Sequence, residues 1–269
     1  MEKLEFEHTY HIFNRGINGT DLFLCQKDYE YFLELYAKFI HPIADTYAWV
    51  LLKNHFHILV RIKDEKDMPF LRSFSSEADR FSIDPDRSST LSGRVVDLSG
   101  CEAADRVKML TKTLTGSVVN LSGCEAADKV KMSPKTLTGS TEPCQVSGYR
   151  KKANPSRQFS HLFNGYARYF NTRTERHGGL FETPFKRIQV DTEKYFRRLV
   201  YYIHHNPVKH GFAEHILDWG WSSYLSIISV KPTRISRETV LGYFDDAANF
   251  KAYHQQQHDF REMDYLLLE

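Results

Sequence analysis

The sequence predicts an α+β fold in which an antiparallel sheet packs against amphipathic helices. Three features predict it. First, the chain contains short segments in which apolar and polar residues alternate, as in strands. Second, segments with apolar residues at helical spacing lie between them. Third, a two-residue connection joins two of the predicted strands. Hydrophobic residues make up 41% of the 269 residues and aromatic residues 14%, which is enough for a proper core and argues against a disordered chain.

Four segments are predicted to form strands. Three of them span residues 9–13, 46–52 and 185–190, and the third in chain order begins directly after Asn54. In the third segment Phe56, Ile58 and Val60 alternate with other residues, which is typical of a strand with one buried face. Lys53 and Asn54 form a tight connection between the second and third segments, so these two strands are predicted to form a hairpin.

Three segments carry apolar residues at helical spacing and are predicted to form helices. The first two span residues 28–40 and 156–171. The third begins after Asp191, which we expect to cap it, and runs to about His205. Hairpin-linked strands with helices on one face of the sheet are typical of a ferredoxin-like sandwich.

A tandem repeat separates the second predicted helix from the strands before it. Residues 95–117 and 118–140 are near-identical copies that differ at four positions, and two copies are too few for a solenoid. The repeat is poor in aromatic residues, so we expect it to form a flexible or locally helical insertion. The chain is thereby divided into a discontinuous main domain, an insertion and a C-terminal extension. These parts span 1–81 with 156–225, 82–155 and 226–269.

The composition excludes several classes of protein. No apolar stretch approaches the roughly 18 residues of a membrane span, and the first residues lack the apolar core of a secretory signal. The four cysteines fit neither a metal-binding spacing nor a disulfide framework. They are Cys25, Cys101, Cys124 and Cys144. We therefore expect a soluble, reduced, intracellular protein without a membrane partner.

Positive charge is concentrated in one part of the chain, although the whole chain carries only +2. Between Arg150 and Lys209 thirteen basic residues face four acidic ones, which gives a net charge of +9, and aromatic residues are interleaved with them. Basic groups beside rings suit single-stranded nucleic acid, because cations track the phosphates and rings stack on the bases. A solvated basic face with the rings in the core explains the same pattern equally well.

The third predicted strand carries the motif His55-Phe56-His57. Side chains alternate along a strand, so the two histidines share one face and Phe56 points to the other. Two imidazoles on one face can chelate a cation, since histidine is the commonest metal ligand. The alternative is a strand that merely carries two outward-facing polar residues.

The third predicted helix ends in the segment Tyr201-Tyr202-Ile203-His204-His205-Asn206-Pro207-Val208. Tyr202 and Asn206 are four residues apart, so they share a helix face. Pro207 disfavours helical geometry at the preceding residue and places Asn206 at or beside the helix end. The alternatives are a half-buried core tyrosine and an asparagine that caps the helix.

Four segments together resemble the REP-associated and insertion-sequence-type tyrosine transposases, the single-tyrosine branch of the HUH nucleases. They read LKNHFHILV, RQFSHLFNGYARYFN, GLFETPFKR and YYIHHNPVKHGF. The resemblance covers about residues 8–65 and 156–225. It implies a ferredoxin-like domain that cuts single-stranded DNA next to a hairpin, using two HUH histidines, a divalent metal and a tyrosine. The products are a 5′-phosphotyrosine link and a free 3′ hydroxyl.

Carried over to this chain, the resemblance implies that His55 and His57 bind the metal and that Tyr202 is the nucleophile. It also implies that Asn206 completes the metal shell, although some relatives have glutamine there. Tyr201 is the chief competitor for the nucleophile, and it lies about 100° away around the helix. Oxygen beside two imidazoles suits Mg²⁺ or Mn²⁺, and the donor set alone does not exclude Zn²⁺.

The expected function is a metal-dependent single-stranded DNA endonuclease and transposase that acts in the cytoplasm at the nucleoid, as a monomer or homodimer. DNA contacts are expected from seven polar or basic residues. They are Asn14, Arg15, Arg168, Lys186, Arg187, Arg197 and Arg198. The alternatives are a domesticated protein that binds hairpin DNA without cutting it and a zinc-stabilised structural or RNA-binding module.

Overall fold

A computed structural model of the chain describes residues 3–70 and 151–258. In these residues four strands form one antiparallel sheet with the order β2-β3-β1-β4. The strands are β1 (Thr9–Arg15), β2 (Ala44–Leu51), β3 (His55–Ile62) and β4 (Lys186–Gln189). The predicted α+β class with an antiparallel sheet is confirmed, and β2 and β3 form the predicted hairpin.

Three long helices pack on this sheet, and three short ones follow them. The long helices are α1 (Gln26–Phe39), α2 (Pro155–Arg173) and α3 (Glu193–Lys209). The short helices are α4 (Tyr224–Ile228), α5 (Arg237–Gly242) and α6 (Ala247–Gln255). Single 3-10 turns lie at Ile17–Gly19 and Glu65–Asp67. No helix in the described ranges is long and apolar enough to cross a membrane.

The helices cover both faces of the sheet. On one face the ring of Phe56 contacts Phe32 of α1 and Phe163 of α2, with ring centres 5.3 and 5.5 Å apart. His57, the next residue of β3, points to the opposite face and meets Tyr202 of α3. The expectation of helices on one face therefore holds for α1 and α2 and is corrected for α3, whose apolar side covers the second face.

The start of α3 differs from the prediction by one residue. Thr192, not Asp191, is the N-cap, since its hydroxyl accepts a hydrogen bond from the amide of Tyr195 at 3.2 Å. Thr192 has the extended backbone of an N-cap, with φ −124° and ψ 147°. Asp191 lies one position too early to reach the first turn.

The end of α3 also differs, because the helix continues through Asn206 and Pro207 to Lys209. Proline removes one backbone donor but has a helical φ. Packing compensates for the lost bond, since Asn206 and Pro207 are both buried. The turn then closes with bonds from the amide of His210 to the Asn206 carbonyl and from the amide of Phe212 to the Pro207 carbonyl. Asn206 is therefore not a helix cap.

The chain after α3 returns to the outer edge of β2, which in this part of the chain has only one neighbouring strand. The Leu51 amide donates to the Trp221 carbonyl, the Ser223 amide to the Trp49 carbonyl and the Ser236 amide to the Thr46 carbonyl, each at 2.9 Å. The described residues after Phe212 are thus packed against the sheet. Buried apolar residues of the tail join the main core. They are Ile216, Tyr224, Ile227, Ile235, Val240, Phe244 and Phe250.

The predicted insertion lies mainly outside the described residues, since both repeat copies fall between 71 and 150. The two described ends of this stretch are neighbours. Phe70 and Lys152 form an antiparallel bridge, and the Ala153 amide donates to the Pro69 carbonyl at 3.0 Å. The chain therefore leaves and re-enters the domain at a single point.

Candidate active site

Strand β3 and helix α3 bring together the four residues that the sequence singled out. The Nε2 atom of His55 lies 2.9 Å from the Oδ1 atom of Asn206. The ring of His57 meets the ring of Tyr202 edge-on, with ring centres 5.4 Å apart, and the two histidine rings lie 5.2 Å apart. The shared strand face and the shared helix face predicted from the spacing thus point at each other.

Most of this cluster is buried. His57 is 1% exposed and Tyr202 and Asn206 are 0% exposed, whereas His55 is partly exposed. His55 therefore forms the border between the buried part and solvent, and Asn206 lies behind it. The Oδ1 atom of Asn206 faces His55, and its Nδ2 atom has no hydrogen-bond partner among the described residues.

Tyr201 occupies different surroundings from its neighbour. Its ring stacks on His205 with ring centres 3.8 Å apart, and its hydroxyl accepts a hydrogen bond from the amide of His258 at 3.5 Å. Burial raises the pKa of the Tyr201 hydroxyl. Tyr201 thus faces the C-terminal segment, while Tyr202 faces the histidines of β3.

A cleft of about 170 Å³ opens beside the histidines. Its lining combines cationic, amide and aromatic groups. The lining residues are Phe13, Asn14, Arg15, Asn54, His55, His57, Glu182, Lys186 and His210. Arg15 forms an ion pair with Glu182, and the Lys186 ammonium lies 5.6 Å from the ring centre of Phe13. The cleft can therefore receive an anionic group next to His55 and His57.

Of the seven expected DNA-binding residues, the structure brings Asn14, Arg15 and Lys186 to this cleft. Asn14 is buried, and its amide nitrogen donates to the Glu182 carbonyl at 3.0 Å, so it holds the cleft wall. The other four lie elsewhere. Arg168 is exposed on α2, Arg187 is on the opposite face of the sheet, and Arg197 and Arg198 are in the first turns of α3.

Arg187 belongs to a second groove of about 630 Å³ between α2 and residues 178–187. Its guanidinium lies 4.2 Å from the ring centre of Phe185 and donates to the Ser156 hydroxyl at 3.2 Å. Asn14 and Glu182 line both this groove and the histidine cleft. The two depressions are therefore adjacent.

The donor set beside the cleft suits a divalent metal only if an amide oxygen takes part. Within the described ranges no group of three or more histidine, cysteine, aspartate and glutamate residues could hold a metal ion. Any metal here would thus need the amide oxygen of Asn206 beside the two imidazoles. The 2.9 Å between Asn206 Oδ1 and His55 Nε2 is close to the roughly 3.0 Å that separates adjacent ligands of an octahedral ion with bonds of about 2.1 Å. The residues present are compatible with such an ion.

Several neighbours of the site were missed by sequence reasoning. The His11 Nε2 atom lies 3.0 Å from His57 Nδ1, and Asn54 Oδ1 lies 2.8 Å from His55 Nδ1. Lys209 places its ammonium 5.0 Å from the ring centre of Tyr202. The available signals were the histidine in the first predicted strand and the asparagine just before His55, but the pairing of β1 with β3 was needed to join them.

Comparisons with known proteins add little to this geometry. No protein-family model matches the sequence, and no curated protein matches it. A solved structure of a REP-associated tyrosine transposase bound to a REP hairpin is similar over 86% of this chain and 87% of that chain. The identity is 12% and the TM-score 0.45. At these values the likeness says nothing about the chemistry of the site, which rests on its own residues.

Proposed function

We propose that this protein cuts and rejoins single-stranded DNA by transesterification at a tyrosine. The observation that carries the proposal is the convergence of two imidazoles, an amide oxygen and a tyrosine from β3 and α3 beside a cleft with basic residues. The combination of HFH with the YIxxNPV segment, which resembles the tyrosine transposases, supports the same function.

In this proposal His55, His57 and Asn206 hold a divalent cation, with Mg²⁺ or Mn²⁺ as the expected ions. When bound, such a cation would polarise a phosphoryl oxygen and neutralise the charge that develops there. Tyr202 attacks the phosphorus through its hydroxyl oxygen and gives up the hydroxyl proton to water. The bond from phosphorus to the 3′ oxygen breaks, and the 3′ oxygen takes up a proton from water, so the protons balance. The 5′ phosphate stays on Tyr202 as an ester, which conserves the bond for rejoining.

Substrate binding must uncover Tyr202, since its side chain is fully buried. Lys209 lies over the tyrosine ring, and the ring centres of His210 and His55 are 4.8 Å apart. Lys209 is the last residue of α3, and His210 follows it directly. A phosphate entering the cleft would attract the Lys209 ammonium, so we propose that the substrate itself draws this lysine away from Tyr202.

The DNA is proposed to lie along the cleft and the neighbouring groove. Arg15 and Lys186 supply positive charge in the cleft, and Arg187 and Phe185 supply charge and a ring in the groove. This pairing of cations with rings suits single strands. The proposed place of action is the cytoplasm at the nucleoid, where such DNA is available.

A nicking assay tests the proposal. A single-stranded oligonucleotide with a hairpin is incubated with the protein in Mg²⁺, in Mn²⁺ and in excess EDTA. We expect cleavage in either metal, a free 3′ hydroxyl on one fragment, and no cleavage in EDTA. Cleavage that persists in EDTA, or products that carry a 3′ phosphate, would contradict the proposal.

The second candidate is a protein that binds hairpin DNA without cutting it. The full burial of Tyr202 favours this alternative, because a nucleophile must reach its phosphate. Tight binding of the hairpin oligonucleotide in the same samples, with no cleavage in either metal, would identify this function.

A further inference from the structure

We infer that His11 and Asn54 are positioning residues that fix both site histidines with the proton on Nδ1, so that both present Nε2 to the metal. The inference rests on the metal site of the proposed function and adds two residues to it. It concerns contacts at the back of each imidazole, on the side away from Asn206.

His55 has an oxygen acceptor on each side of its ring. Asn54 Oδ1 lies 2.8 Å from Nδ1 and Asn206 Oδ1 lies 2.9 Å from Nε2, and a neutral imidazole has one proton for the two. With that proton on Nδ1, donated to Asn54, Nε2 carries a lone pair beside Asn206 Oδ1. A cation between Nε2 and this oxygen would be held by both atoms, which is the arrangement that the inference assigns to the metal-binding site.

His57 has the same arrangement with a different partner. His57 Nδ1 lies 3.0 Å from His11 Nε2, and the two side chains are 1% and 0% exposed. One nitrogen must donate and the other accept. If His57 Nδ1 donates, its Nε2 is left with a lone pair for a metal. If His11 donates instead, the proton of neutral His57 is on Nε2 and blocks coordination.

The strand register explains why His11 is in this position. Phe13 of β1 pairs directly with His57, and His11 is two residues earlier on the same face. The His11 ring stacks on the ring of Phe13, with ring centres 4.7 Å apart, which fixes its orientation. His11 is thus held against the back of His57 by the sheet itself. Residues that orient a metal-binding histidine in this way commonly change metal affinity by about 10- to 100-fold.

Mn²⁺ binding to three variants, measured by isothermal titration calorimetry, tests the inference. His11→Phe keeps a ring of similar size but cannot accept a hydrogen bond, and it is expected to weaken Mn²⁺ binding by about 10- to 100-fold. His11→Gln places an amide near the position of Nε2 and is expected to stay within about threefold of the wild type. His177→Phe, at an exposed loop position, is the control. His11→Phe with wild-type affinity would overturn the inference.

The tautomers provide a readout that needs neither metal nor activity. Long-range ¹H–¹⁵N NMR spectra of the metal-free full chain should show His55 and His57 with the proton on Nδ1. His57 should lose this preference in His11→Phe, and His55 should lose it in Asn54→Leu. A wild-type His57 with its proton on Nε2 would overturn the inference. Wild-type protein that fails to bind Mn²⁺ would contradict the proposed function, and the tautomer spectrum would still decide the role of His11.

Discussion

His55 and His57 share one strand face and differ in how they meet solvent. His55 is at the cleft border and contacts Asn206, whereas His57 is buried between His11 and Tyr202. Replacing either histidine removes one of only three proposed ligands. The two substitutions should nevertheless differ in their effect on stability, because only His57 is part of the packed interior.

We predict that His55→Ala and His57→Ala each abolish metal-dependent cleavage, with a loss of at least roughly 100-fold, since loss of an orienting neighbour alone costs about 10- to 100-fold. Rates of nicking in Mn²⁺ measure this. The exposed His177→Ala should keep the wild-type rate. Thermal melts should show both site variants folded, and folded variants that nick normally would rule out the metal site.

Lys209 gives a second prediction. Its ammonium lies over Tyr202, where the proposed phosphate must enter, so Lys209→Gln should lower the rate of covalent capture of DNA by about tenfold or more. Lys194→Gln removes a lysine at the other end of the same helix and should have no effect. Equal rates for the two variants would mean that Lys209 takes no part in the reaction.

Sequence reasoning could pair His55 with His57 and Tyr202 with Asn206 because each pair needs only one periodicity. Residues two apart in a strand share one face, which pairs His55 with His57. Residues four apart in a helix share one face, which pairs Tyr202 with Asn206. It could not find His11, because its contact depends on the register between β1 and β3. It also could not separate Arg15 and Lys186 from Arg197 and Arg198, since all are basic and only the fold places the first two at the cleft.

At the scale of single elements, α3 joins the site to the C-terminal segment. Helix α3 presents His204, which is 0% exposed, to His254 and Ser223 of the C-terminal segment. His254 of α6 donates from Nδ1 to the Phe250 carbonyl at 2.8 Å, which leaves its Nε2 to accept from His204 Nδ1 at 2.9 Å. The Ser223 hydroxyl can then donate to His204 Nε2. Both histidines can make all of these hydrogen bonds in their neutral forms.

The free energy of unfolding should therefore depend on pH. Burial lowers the pKa of His254 to about 3 and that of His204 well below its usual value. Below about pH 6.5 the unfolded chain takes up protons that the folded chain does not. These histidines therefore make their full contribution to the free energy of unfolding above this pH, and the free energy of unfolding decreases as the pH falls toward 3. Each such group contributes up to about 1.4 kcal/mol per pH unit.

We predict that His254→Gln reduces this pH dependence between pH 6.5 and pH 5, because one depressed group is removed. Urea unfolding at a series of pH values measures it. His177→Gln should retain the wild-type slope, since His177 is exposed. An unchanged slope in His254→Gln would mean that His254 is not buried in its neutral form.

Element bounds were predicted best where periodicity is strong and worst at the ends. The helix predicted over 28–40 is observed at Gln26–Phe39, whereas α3 begins after Thr192 and continues past Pro207. Local preference disfavours a helix at Asn206. The buried environment of Asn206 and Pro207 overrides it, and no local pattern in the sequence reports that environment.

At the scale of the whole molecule, the sheet is completed by distant parts of the chain. β4 pairs with β1 across more than 170 residues of sequence, and residues 221–236 bond to the outer edge of β2. The position of the tail on β2 was not predictable, because its bonds are between backbone groups and leave no side-chain pattern.

We predict that deletion of residues 95–140 leaves folding and cleavage largely intact. The connection between Phe70 and Lys152 is already closed by backbone bonds, and halving a loop changes its closure free energy by only about 0.6 kcal/mol. The melting temperature should be unchanged or raised by about 2 °C. Deletion of one copy, 118–140, should give an intermediate result. Loss of solubility in both deletions would mean that the repeat has become part of the core.

The most direct test of the central claim is identification of the residue that carries DNA. A hairpin oligonucleotide is incubated with wild type, Tyr202→Phe and Tyr201→Phe in Mn²⁺, covalent complexes are separated on a denaturing gel, and the modified peptide is sequenced by mass spectrometry. We predict a 5′-phosphotyrosine adduct on Tyr202 in the wild type and in Tyr201→Phe. Tyr202→Phe should give no adduct and nearly unchanged hairpin binding. An adduct on Tyr201, or one that survives Tyr202→Phe, would contradict the account.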